Sequence, residues 1–352
     1  MLTPVYCLDP LSDPRWDGLV AVHPDASIFH TSAWLRALRD TYGYSPVVFT
    51  TSAPTDELKN AWPFCKVKTY LTGPRLVSLP FSDHCEILRD SEGDLEGMWP
   101  KIAGEMERQG FRYIELRPIS YWRAPSPESS RSSYWLHSLD LTPTVECLLR
   151  NCHKDSIQRK IRRADRELLS YQEGRSDFLL ETFYKLQLIT RRRHQILPQP
   201  RNWFKNLVEA FGPALKIRAA FKDRTPIAAV MTVKHQTTLV YKYGCSDQRF
   251  HNLGGMHLVL WRSILEGKSQ GMTKFDLGRS DLDHDGLVTF KDRWGASRRE
   301  ITYSKVFCSP QAKLETSLFS GAWMRRAVKR AVASFSDEAL SVAGRVVYRH
   351  LA

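Results

Sequence analysis

Lys242–Leu265 reads KYGCSDQRFHNLGGMHLVLWRSIL. An aromatic, β-leaning run passes into a polar loop. The loop meets Gly254-Gly255, and a helix-forming run follows at once. Strand, short loop and helix in that order are the grammar of an α/β fold. Glycines at such a junction let backbones approach closely, and the first helical turn leaves amides without intrahelical partners. A phosphate or another anion can bind there, with Arg249 and His251 beside it and Asn252 capping the turn. GxxxxGK[ST] and GxGxxG are both absent, which excludes a Walker loop and a dinucleotide fingerprint.

Upstream stand ALKIRAAFKD, TPIAAVMTVKH and TTLVYKYGCSD, β-leaning runs joined by turns at Asp223-Arg224 and His235-Gln236. Connections this short predict an antiparallel meander. Downstream, the helix GMHLVLWRSILEGKSQG and the strand KFDLG add a crossover. A polar loop then leads to FKDRWG, where Lys291 and Arg293 alternate with Phe290 and Trp294 before Gly295. Polar groups on a strand-end loop are well placed to line a cleft.

Ahead of the meander, DSIQRKIRRADRELLS predicts a helix with Ile157, Ile161, Ala164 and Leu168 on one seam. Arg159, Lys160, Arg162, Arg163 and Arg166 surround that seam. They form either a solvated face or an electropositive wall for phosphate or RNA. DFLLETFYKLQLITRRR and RNWFKNLVEAFG predict two more helices.

The N-terminal part has the same grammar. VYCLD, SPVVFTTS, NAWPFCKVKTY and FRYIELRP read as strands, HTSAWLRALRDTYG and LEGMWPKIAGEMERQG as helices. A Pro- and Ser-rich loop over Pro125–Ser133 precedes the strand YWLHSLDL. The change of domain is expected between Thr142 and Asn151. Two similar halves suggest a distant duplication of one α/β unit. A chain of 352 residues favours two domains in any case.

The charge balance is 51 basic against 38 acidic residues, net +13. A field of that sign attracts phosphates, nucleic acid or an anionic membrane surface without choosing among them. The 7 cysteines form no CxxC pair, which argues against a disulfide framework and a thiolate zinc site. Asp281, Asp283, Asp285 and His284 crowd one loop but lack the calcium-loop spacing, so no metal is expected. No GxSxG elbow is present. The start lacks the pattern of a secretory leader, and no apolar run is long enough to span a bilayer, so a cytoplasmic protein is expected. GAWMRRAVKRAVASF near the C-terminus predicts a basic amphipathic helix, either solvent-facing or lying on the inner membrane face.

Taken in order, IFHTSAWLRAL, LVSLPFSDHCEIL, IQRKIRRADREL, DQRFHNLGGMHLVLWRSI and KFDLG followed by FKDRWG resemble the FemAB-type transferases. The two halves of those proteins each have a GNAT (Gcn5-related N-acetyltransferase) fold. The likeness spans roughly Ile28 to Ser304 and is closest to the FemAB-like proteins of exopolysaccharide and PEP-CTERM/exosortase loci. It implies two tandem GNAT-like domains, 1–145 and 146–308, with mixed, mainly antiparallel sheets flanked by helices. A helical, basic extension follows over 309–352. It implies transfer of an acetyl, other acyl or aminoacyl group to an amine of a cell-envelope or exopolysaccharide precursor. The donor is an acyl-CoA that is not tightly bound, or an aminoacyl-tRNA. The acceptor is a phosphorylated, nucleotide-linked or lipid-linked saccharide or peptide.

By the same resemblance, Lys291 matches the lysine of the FKxxFG signature; it is expected to stabilise charge or to contact phosphate. Asp276 is expected to orient or deprotonate the amine. Arg249, His251, Asn252, Gly254 and Gly255 would hold the donor, and Arg163, Arg293 and Trp294 the substrate. The segment departs from the family in having Trp294 where the signature has Phe, and in lacking the full acetyl-CoA loop pattern. The rival class is a non-catalytic binder of anionic polysaccharide or nucleotide-sugar on the same fold. A third reading is an aminoacyl-tRNA-dependent transferase of the peptidoglycan-bridge type.

Overall fold

A computed structural model describes residues 4–70, 72–91, 93–120, 122, 128–319, 329, 332 and 334–350. The chain forms two compact units. One comprises Met1–Ser133, Ile301–Ala327 and Arg345–Ala352, the other Tyr134–Glu300 and Val328–Gly344.

The first unit holds β1 (Tyr6–Leu8), β2 (Ser45–Thr50), β3 (Trp62–Val67), β4 (Arg75–Val77) and β5 (Tyr113–Leu116). The part of β12 (Ser297–Phe307) from Ile301 onward pairs with β5, giving the order β1-β2-β3-β4-β5-β12. Its pairs are antiparallel except β4–β5, which is parallel. The helix Asp94–Arg108 makes the crossover between those two strands and buries Leu95, Met98, Trp99, Ile102 and Met106. That spacing of 3, 1, 3 and 4 is one helical face. The helix Ser32–Tyr42 is bounded as its sequence predicts. Thr31 accepts a hydrogen bond from the Trp34 amide, and Gly43 closes it at φ 74°.

The second unit holds β6 (Ser129–Asp140), from Tyr134 onward, with β7 (Ser170–Gly174), β8 (Leu215–Lys222), β9 (Thr225–His235), β10 (Thr238–Ser246) and β11 (Lys274–Asp281). Their order is β6-β11-β10-β9-β8-β7. Again one pair, β10–β11, is parallel, and the helix Gly255–Ser269 makes the crossover. The meander β8-β9-β10 is antiparallel, as its tight turns predict.

The two strand orders correspond one to one, so the duplication read from the sequence is present in the topology. The sixth strand of each sheet comes from the other half of the chain. β6 follows β5 in sequence but pairs with β11, and β12 follows β11 but pairs with β5. This exchange is why the compact units depart from a division at residues 145 and 308.

Other local expectations need correction. β6 begins at Ser129, inside the span read as a loop. DSIQRKIRRADRELLS is not one helix: a π turn over Lys154–Gln158 leads into a helix over Arg159–Arg166, and Leu168 takes φ 53°. FKDRWG is not loop throughout, because Asp285–Asp292 is helical. Helices also form at Pro310–Phe319 and Asp337–Tyr348. Most of GAWMRRAVKRAVASF lies outside the described residues. Among the described residues no helix is long and apolar enough to cross a membrane.

Candidate functional site

The site begins where two parallel strands part. β10 and β11 pair only from Thr238 with Lys274 to Val240 with Asp276. Past that point each strand carries one extra residue against its other neighbour. β10 shifts register against β9 between Tyr241 and Tyr243, and β11 against β6 between Asp276 and Gly278. A bulge bends its strand and increases the local twist, so two bulges facing outward open a wedge. A cavity of about 400 Å³ lies on the β10 side of that opening, lined by Gly244, Cys245 and Ser246 of β10, and by Gly255, Met256 and His257 of the following helix. Leu287 and Phe290 line it from the helix Asp285–Asp292, and Thr190, Arg193 and His194 from the end of the helix Asp177–Arg193 and the residue after it.

Gly254 and Gly255 are explained by packing. Gly254 has φ +86°, and a Cβ there would overlap the Lys160 carbonyl oxygen. A Cβ on Gly255 would lie 2.8 Å from Ile227 Cδ1 and 3.3 Å from Ala228 Cβ. Both glycines let the helix start dock between the basic helix and β9. Lys160 grips the loop a second time, its ammonium donating to the carbonyls of His251 (3.4 Å) and Asn252 (3.1 Å). Asn252 therefore does not cap the turn. The N-cap is Gly254, with no side-chain cap, and the uncapped first turn borders the cavity.

Arg249 sits apart from that turn. Its guanidinium pairs with the buried Asp247 at 2.5 Å and lines a neighbouring hollow of about 390 Å³ with Ile189, Arg192, Arg193 and Asp337. Arg193 borders both spaces. His251 lines the cavity: its Nε2 is 2.8 Å from Ser246 Oγ and 3.1 Å from Arg193 Nη1.

Lys291 and Asp276 converge on one residue, Gly278, outside the cavity lining. Lys291 is buried and donates to the carbonyls of Gly278 and Arg279, each at 2.9 Å. Asp276, also buried, accepts from the Gly278 amide at 2.7 Å. Together they brace the β11 bulge, where Gly278 has φ 70°. Asp276 further lines a separate hollow of about 200 Å³ with Lys274 and Arg298. Arg163 is exposed and paired with Glu167 at 2.6 Å. Arg293 is exposed too, and its carbonyl accepts from the His153 amide. Trp294 is buried and stacks on His257 at 6.0 Å, so it supports the cavity wall without reaching a ligand.

Tyr241, Ser246, His257 and Arg193 are cavity residues that the motifs did not single out, whereas Phe290 of FKDRWG does line it. The Tyr241 hydroxyl lies across Gly244, where any Cβ would overlap it. The Cys245 thiol is buried and donates to the carbonyls of Phe183 and Ala229, and burial pushes its pKa far up. It is therefore protonated and not a nucleophile. His257 is held at about 4 by burial, then by Lys160 and His251.

The sign of that shift gives a prediction. Between about 4 and the ordinary 6.5 the unfolded chain binds the His257 proton and the folded chain does not. Stability therefore rises with pH across this window and is lost as pH falls through it. Buried His137, also lowered to about 4, adds to the slope. Urea unfolding at pH 7 and pH 5 is expected to show a smaller pH difference for His257→Gln than for wild type. An equal difference would detach the acid sensitivity from His257.

Comparison with known proteins agrees with this geometry. The family model of the acetyltransferase (GNAT) domain matches residues 153–292. No curated protein matches the chain. Among solved structures, FemX is similar with TM-score 0.66 at 13% identity, covering 88% of this chain and 99% of FemX. The C-terminal domain (DUF2156) of a putative lysylphosphatidylglycerol synthetase from Agrobacterium fabrum has TM-score 0.56 at 12% identity, covering 91% and 97%. A tandem GNAT protein from the clavulanic acid biosynthesis pathway has TM-score 0.50 at 12% identity, covering 87% and 99%. Identities this low speak for the fold alone. The chain has a tandem GNAT-like fold similar to that of FemX, and its second unit carries the opened strand pair and the helix start that border the cavity.

Proposed function

We propose that the second unit transfers an acyl group from an activated thioester or ester to an amine. One observation carries the reading: β10 and β11 part beside an uncapped helix start, and the wedge between them holds a cavity. The first-turn amides at Gly255–His257 suit the phosphates of a donor. Ser246 directs its amide to Thr190 Oγ1 at 2.9 Å. By the two-residue period of a strand, Gly244 presents its N–H to the same side, where β11 has departed. An acyl oxygen placed there would meet a fixed donor as negative charge develops on it. Holding donor and amine in one wedge supplies much of the rate through orientation.

The finer reading is acyl-CoA as donor, and an amine on a cell-envelope or exopolysaccharide precursor as acceptor, at the inner membrane face. The apolar wall made by Ile227, Met256, Leu287 and Phe290 suits an acyl chain and a pantetheine arm. The likeness to a lysylphosphatidylglycerol synthetase domain and to FemX makes a lipid- or peptide-linked acceptor the first to try. The test is thermal shift and thiol release with acetyl-CoA and longer acyl-CoAs, with charged tRNA in parallel at low and high salt. Stabilisation by acyl-CoA, with thiol release that needs an added amine, is expected. Specific stabilisation by charged tRNA alone would transfer the donor role to it. Binding of an anionic polysaccharide with no release from any donor would leave a non-catalytic binder.

A further inference from the structure

Ser246 and His251 stand at the end of β10 and in the loop that follows, and the proton positions between them can be assigned. Arg193 Nη1 lies 3.1 Å from His251 Nε2. A guanidinium donates and never accepts, so Nε2 must offer its lone pair. The neutral imidazole then carries its hydrogen on Nδ1. Ser246 Oγ, 2.8 Å from the same Nε2, is then a second donor, sharing the single Nε2 lone pair with Arg193. The serine oxygen keeps its lone pairs for whatever enters the cavity, which both residues line. His251 is exposed on its other side, so a proton it takes can leave to water.

We propose that Ser246 and His251 form a proton relay that takes the proton from the attacking amine in this cavity. The inference rests on the acyl-transfer reading above. As the amine nitrogen bonds to the acyl carbon, its proton passes to Ser246 Oγ, and the serine proton passes to His251 Nε2. The carbon–sulfur bond of the donor breaks with its electron pair on sulfur. The imidazolium returns the proton, directly or through water, and a free thiol leaves with the amide as the other product. No oxidant or further reactant is needed.

The electrostatics agree with a base that works while neutral. Burial first, then Arg193, lowers the His251 pKa below 6.5, with Lys160 adding and Asp247 opposing. His194, His257 and His284 line the same cavity, and His257 is itself neutral. The relay therefore stays competent in mildly acidic solution, and His251 adds a limb below 6.5 to the one set by protonation of the amine itself.

The test uses the full chain with acetyl-CoA as donor, glucosamine and glycinamide as amine probes, and thiol release as the readout. His251→Gln is expected to lower kcat about a hundredfold and to remove the limb below 6.5, leaving that of the amine, with the KM for acetyl-CoA little changed. Ser246→Ala is expected to do the same, because the bonds between the Ser246 backbone and Thr190 Oγ1 do not involve its hydroxyl. Nitrogen NMR of His251 is expected to show the Nδ1–H tautomer in the free protein. An active wild type whose His251→Gln variant keeps its kcat and the limb below 6.5 overturns the relay alone. An Nε2–H tautomer also overturns it. A wild type inactive with every donor and amine overturns the acyl-transfer reading and the relay together, even where NMR shows the Nδ1–H tautomer.

Discussion

Gly254→Ala is expected to cost about 3 kcal/mol or more of folding stability, the sum of overpacking and a left-handed backbone. The new methyl would enter the space of the Lys160 carbonyl oxygen, and φ is +86°. Neither partner can move cheaply. The carbonyl is part of the helix Arg159–Arg166, whose Ile161 and Ala164 are buried in the core of the unit. The loop is also tied to the Lys160 ammonium. Gly271 supplies the control. It has φ +77°, and a methyl added there would meet nothing within 4 Å, so Gly271→Ala should show the backbone strain alone, about 1 kcal/mol. Urea unfolding of the two variants separates the terms. Equal losses would mean that the helix start is not wedged against the basic helix.

Lys291→Ala is expected to destabilise the second unit by about 3 kcal/mol, while folded molecules keep most of their turnover. The ammonium is buried and gives charge-assisted hydrogen bonds to two carbonyls of β11. Such bonds contribute about 1.5–3 kcal/mol each, and their loss leaves buried acceptors behind. Asp276 holds the amide of the same Gly278, so the bulge keeps this second anchor in the folded variant. The FKxxFG signature alone predicts the opposite order, lost turnover without unfolding. A Lys291→Ala protein with unchanged melting temperature and a collapsed kcat would place the ammonium at the reacting groups.

Much of the fold is legible because its signals are local. Asp177–Arg193 carries its serine cap and apolar face in the sequence, and the tight turns of β8-β9-β10 leave antiparallel pairing as the short route. The exchange of β6 and β12 is not legible, since nothing in either strand names a partner more than a hundred residues away. The parting of β10 and β11 depends on two register shifts that no residue type announces. For the same reason the motif residues were readable while their roles were not. Gly254 and Lys291 stand out as a glycine and a lysine in unusual settings, yet only the contacts show that one admits the Lys160 carbonyl and the other holds a bulge. Ser246 and His257 gave no signal because a serine at a strand end and a histidine in a helix are ordinary. Their neighbours in space make them notable.

The central claim is that the wedge between β10 and β11 receives the activated donor. Hydrogen–deuterium exchange of the full chain, with and without a saturating acyl-CoA, tests it most directly. Added protection is expected to concentrate at the amides of Gly244–Ser246 and Gly255–Leu258. Protection confined to other segments, or none there under conditions of measurable turnover, would contradict it.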